Sequence, residues 1–148
     1  MSLKEKINED LNASLKAKDS VRTETLRSIR AEILKMDKSG MNREMNEDEE
    51  IQLLSRLAKM RKESIVLFGN AGRTDLVDKE TIQLNIISEY LPAQMSPEDA
   101  GVIIENILKE TGFTEQKDFG KLMGEVMKQL KGKIDGKVIQ ELVRKRMN

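Results

Sequence analysis

The sequence predicts an all-α protein, with a four-helix N-terminal subdomain followed by a three-helix C-terminal subdomain. Three observations predict it. Apolar residues recur every three to four positions along most of the chain. Val, Ile and Thr nowhere alternate with polar residues over a strand's length. Capping residues and glycine stops bracket the periodic stretches.

Leu3, Ile7, Leu11 and Leu15 stand four apart and predict a first helix with one apolar stripe. Asp19 offers the N-cap of a second, striped by Leu26, Ile29, Ile33 and Met36. Asp37 to Met45, with Gly40 inside it, reads as a loop. Asn46 caps a third helix whose first turn carries Glu47-Asp48-Glu49-Glu50. That acidic run could be taken for a metal site, but it fits better as favourable charge at the positive end of a helix dipole. The buried face of this helix is expected to hold Ile51, Leu54, Ala58, Ile65 and Phe68. Arg61 projects into the same stripe, so its guanidinium is expected to be largely buried against a carboxylate. Gly69-Asn70-Ala71-Gly72 ends the helix. A fourth turns Leu76, Leu84, Ile87 and Leu91 inward until Pro92 stops it.

Residues 92–95 read as a linker between subdomains 1–91 and 96–148. Ser96-Pro97-Glu98-Asp99 is a strong helix start, with a Ser cap, Pro in the first turn and acids after it. Ile103, Ile104, Ile107 and Leu108 continue this helix to Gly112. The next holds Phe119, Leu122, Met123, Val126, Met127 and Leu130 and stops at Gly132. Asp135 caps the last, which turns Val138, Ile139, Leu142, Val143 and Met147 inward.

Composition narrows the chemistry. The chain has no Cys and no His, so thiolate nucleophiles, disulfides, thiolate-held metals and the usual near-neutral base are excluded. Carboxylate–Mg²⁺ chemistry is the one common route left open. No catalytic residue, metal ligand or cofactor site is expected. Only four residues are aromatic, too few for a platform that stacks bases. The first residues lack the apolar core of a signal peptide, and no apolar run is long enough to cross a membrane. The expected location is therefore cytoplasmic.

Net charge is zero, with 26 basic and 26 acidic residues, but the balance is uneven. From Lys121 to Asn148 eight basic residues face three acidic ones, an excess that suits an anionic partner and also suits a merely solvated tail. Within it, Lys131-Gly132-Lys133-Ile134-Asp135-Gly136-Lys137 puts three lysines around a glycine turn at a helix start. Phosphate could sit there, although Asp135 competes for the cap and any helix–helix turn uses glycine. The turn is no Walker motif. It has one residue too few between its glycines, lacks Ser or Thr after the Lys, and follows a helix. Neither binding nor hydrolysis of ATP is expected. Gly120 and Gly124, four apart on one helix, read as a point where two helices approach closely.

Several stretches together resemble the YqeY family, which shares its fold with the tail domain of the B subunit of tRNA-dependent amidotransferase. They are Arg61-Lys62-Glu63-Ser64 with Phe68, Ala71-Gly72-Arg73-Thr74-Asp75-Leu76-Val77, Lys79-Glu80, and Tyr90-Leu91-Pro92-Ala93-Gln94. Asp118-Phe119-Gly120-Lys121-Leu122-Met123-Gly124 and the Lys131–Lys137 turn complete the set, in family order over essentially the whole chain. Two positions depart from the family pattern, Lys128 where relatives have Pro and Ile134 where they have a small residue. The resemblance implies an accessory protein that interacts with tRNA and binds rather than catalyses; charge and the helix start make Lys131, Gly132, Lys133, Gly136 and Lys137 the candidate contact residues. Its partners would be tRNA and amidotransferase or other translation-related proteins. One alternative is a protein–protein adaptor without RNA affinity. Another is carbon–nitrogen ligase activity with glutamine as amido donor, which the missing Cys nucleophile disfavours.

Overall fold

The computed structural model describes residues 1–38 and 43–147. Among them are α1 (Leu3–Lys16), α2 (Ser20–Lys38), α3 (Glu47–Asn70), α4 (Thr74–Ser88), α5 (Pro97–Thr111), α6 (Phe119–Leu130) and α7 (Gly136–Lys145). A short 3₁₀ turn, Gln116–Asp118, precedes α6, and the described residues hold no strand. The chain is all-α. It divides into two compact units, Met1–Leu91 and Pro92–Asn148.

In the first unit, the caps explain where the helices begin. Ser2 and Glu5 close a capping box on α1, and Asn46 and Glu49 close another on α3. The Asp19 carboxylate accepts from the Arg22 N–H and starts α2. The acidic run is thereby accounted for. Glu49 caps α3 and also meets Arg43 at 2.6 Å, while Glu50 accepts the Leu3 N–H at 2.7 Å and ties α1 to α3. Leu3, Ile7, Leu11, Leu26, Ile29, Ile33, Leu53, Leu54, Leu57, Ala58, Ile86 and Ile87 form the core.

The expected stripes need correction in three places. Ser14, not Leu15, takes the fourth inward position of α1, and Leu15 is exposed. A strict spacing of four drifts by about 40° per step at 3.6 residues per turn, so the stripe must step by three to stay on the core. On α3 the core positions include Leu53 and Leu57, whereas Ile51, Ile65 and Phe68 are only half-buried. The apolar face is wider than one narrow line, and the C-terminal half of α3 leaves Met60, Val66 and Leu67 exposed. On α4, Ile86 and Gln83 are buried beside Ile87, and the helix ends at Ser88, with a turn carrying the chain on to Leu91. The expected loop from Asp37 begins later, because α2 continues through Lys38; Gly40 lies outside the described residues.

Arg61 is half-buried, and one of its terminal nitrogens donates to both carboxylate oxygens of Glu80 at 3.1 Å. The partner of the guanidinium in the stripe is thus on the neighbouring antiparallel helix.

The second unit packs α5, α6 and α7 around Ala100, Ile104, Ile107, Leu122, Val126, Leu130, Ile139 and Val143. Ser96 caps α5 and Gly112 ends it at φ +70°, the left-handed conformation in which a side chain would be strained. Gly101, buried within α5, makes room for the Arg146 guanidinium, whose nearest nitrogen lies 2.6 Å from where a Cβ would stand.

Candidate nucleic-acid interface

The Lys131–Lys137 turn joins α6 to α7. Gly132 sits at φ +78°, so the chain reverses through the one residue type that adopts this conformation without cost. The Asp135 side chain accepts from the Lys137 N–H at 3.0 Å and its carbonyl accepts from Ile139, so the carboxylate caps α7. Ile134 packs on the hydrophobic core, which explains how a large residue is accommodated in this turn. Lys131 and Lys133 are half-buried, and Lys137 and Gly136 are exposed. Neither Lys133 nor Lys137 has a carboxylate partner among the described residues.

Residues 92–95, expected to be a linker, are held against this turn. The Gln94 side-chain amide donates to the carbonyls of both Pro92 and Gly132, each at 2.8 Å. The Met95 N–H donates to the Lys133 carbonyl at 2.8 Å. The Pro92–Met95 strap therefore belongs to the second unit.

Gly120 and Gly124 overturn the close-packing expectation. Both are exposed, and a Cβ added at either would meet nothing within 4 Å. No neighbouring helix is seated on them among the described residues. Each sits in a helix where Gly is less favourable than Ala by about 0.5–1 kcal/mol. At about 100° per residue, Gly120, Gly124 and Lys131 project on the same side of α6 and its exit, opposite Leu122.

Lys121, Lys128, Arg144 and Arg146 have intramolecular contacts. Lys128 pairs with Glu125 at 3.0 Å, so the charge it adds relative to the family pattern is partly offset. Arg144 lies over the Phe119 ring and Lys121 over Phe113, 5.0 and 5.9 Å from their centroids. Arg146 reaches Glu105 at 3.3 Å and donates to the Leu142 carbonyl. Sequence reasoning assembled the lysines but missed Gln94. Its signal is a polar residue two positions after Pro92 in a stretch too short to be a free spacer.

Elsewhere the first unit has an open groove of about 350 Å³ at the α1–α2 corner, touched by Leu15, Lys18, Glu24 and Arg27. The described residues contain no group of three or more carboxylates placed to hold a metal, and no helix long and apolar enough to cross a membrane.

The class that the fold defines is a pair of all-helical units, the second carrying a lysine–glycine turn. The chain belongs to the YqeY family, whose model, described as Yqey-like protein, matches residues 4–147. It is similar to "Altered inheritance of mitochondria protein 41, mitochondrial" of Pyrenophora tritici-repentis, at 30% identity over 93% of this chain and 79% of that protein. The protein of the same name from Kluyveromyces lactis is also 30% identical, over 90% of this chain and 69% of its own length.

Proposed function

We propose that this YqeY-family chain is an accessory tRNA-interacting protein that holds folded tRNA on its second unit and performs no chemistry itself. The observation that carries the reading is the pair Lys133 and Lys137, without carboxylate partners among the described residues, in the glycine turn that follows α6, the helix whose Gly120 and Gly124 have nothing packed on them. Ammonium groups left available suit phosphates, and a helix face without side chains lets a sugar–phosphate backbone come close. The scarcity of aromatics favours recognition of RNA shape over stacked bases. Lys131, Gly132 and Gly136 complete the turn that would meet the RNA. The likeness to the amidotransferase tail domain points the same way and transfers binding, not amidation.

The adaptor reading has its own observation, the exposed Met60, Val66 and Leu67 on α3, with Ile82 exposed on α4. Its partner would be an amidotransferase subunit or another translation-related protein. No observation favours carbon–nitrogen ligase activity. The compartment follows the partner. It is the cytoplasm on the sequence reading, and the mitochondrion if the chain shares the location in its fungal relatives' names.

Purification of the full chain from its own cells at low salt separates these readings. Co-purification of tRNA is the expected result. Recovery of protein partners with no RNA would replace it with the adaptor, and recovery of neither would leave the tRNA reading without its ligand.

A further inference from the structure

We infer that Gln94 is a positioning residue for the Lys131–Lys137 turn, setting the conformation in which that turn meets phosphate. The inference rests on the tRNA reading above and deepens it. The Gln94 amide spans two carbonyls, Pro92 and Gly132, at 2.8 Å each. The Met95 N–H closes a third bond on Lys133 at 2.8 Å. Two bonds from the strap thus fix the consecutive Gly132 and Lys133 carbonyls of a turn that contains a glycine at positive φ, while the bond to Pro92 holds the Gln94 amide to the strap's own backbone. Glycine makes that turn possible but also leaves it the most conformational freedom to lose on binding. A strap that orders it beforehand removes part of that cost from the binding step. Two further features make Gln94 the controlling member. Its amide nitrogen is the one side-chain donor in the strap's contacts with the turn, and both of its acceptors are carbonyls, so the orientation of the amide is dictated. Gln94 itself is exposed and contributes nothing to the core, so its removal loosens the turn without a packing defect.

The test is a double-mutant cycle on the full chain, with deacylated tRNA as probe and affinity measured across a salt series. Gln94→Ala should weaken binding by roughly five- to tenfold, the scale of one or two lost hydrogen bonds, with an unchanged salt slope because no phosphate contact is removed. Lys133→Ala should lower the slope by about one unit. Gln94→Ala should cost less in the Lys133→Ala background than in the wild type, since the turn it orders then has less to deliver. Helical content should match the wild type throughout. Wild-type protein that fails to bind tRNA at low salt sinks the tRNA reading itself. Wild-type binding with no loss in Gln94→Ala, with strictly additive losses, or with loss of helical content in Gln94→Ala overturns the positioning role alone.

Discussion

In the first unit an arginine characteristically meets a carboxylate: Arg22 with Glu89, Arg43 with Glu49, Arg56 with Glu32, Arg61 with Glu80 and Arg73 with Asp75. In the second unit Lys133 and Lys137 stand in a turn with no such partner among the described residues, and the helix before that turn carries two glycines with nothing packed on them. The first arrangement uses charge to hold helices and caps in register. The second leaves cations and backbone accessible at some expense in intrinsic helix stability. The contrast teaches where to look for structure and where for a ligand, and substitutions can break it from either side.

The largest effect is expected at Arg61. Arg61→Leu strands the mostly buried Glu80 carboxylate, whose side chain is 14% exposed, and should destabilise the protein by about 1–3 kcal/mol in chemical denaturation. Replacing both partners with Leu should recover most of that loss. If Arg61→Leu is neutral, the pair is not structural and the contrast weakens.

Next comes Tyr90, the single tyrosine of the chain, whose hydroxyl donates to Asp10 with Lys6 lying over the ring. Burial, then the hydrogen bond to Asp10, raises the phenol above its ordinary value of 10.0. The folded state therefore keeps a proton that the unfolded chain gives up first. Its contribution is complete below pH 10.0 and falls as pH rises beyond that value towards the folded-state pKa. Ultraviolet titration should find the native phenol still protonated where a free tyrosine has ionised. Tyr90→Phe should cost about 0.5–1.5 kcal/mol at neutral pH and flatten the alkaline limb. An ordinary titration midpoint would contradict this.

The smallest effect has the opposite sign. Gly124→Ala should stabilise the protein by about 0.5–1 kcal/mol, because the site is helical and a Cβ meets nothing. On the proposed function the same variant should bind tRNA less well. Stabilisation with undiminished binding would show that the open face of α6 is not part of the interface.

Much of the helical architecture was legible in the sequence because its caps and stops are local. Asp19, Asn46, Ser96 and Asp135 each accept from a backbone N–H within three residues, and such signals need no tertiary context. The Arg61 partner was legible as a carboxylate but not as Glu80, since helical projection gives a face and not a neighbour. Two features were illegible. A small-xxx-small spacing reads alike whether a helix covers it or nothing does, so the sequence alone does not show that Gly120 and Gly124 are open. Gln94 reads as linker in the sequence because its acceptor in the turn lies 38 residues away. A boundary drawn at the Ser96 cap would have cut the strap from the turn it holds.

The most direct test of the contrast is the salt dependence of tRNA binding by the full chain and two variants, Lys133→Ala/Lys137→Ala in the second unit and Lys62→Ala in the first. The double variant should bind more weakly, with a salt slope lower by about two units, while Lys62→Ala keeps the wild-type slope. Equal losses in both variants, or no wild-type binding at low salt, would contradict the assignment of the ligand surface to the second unit.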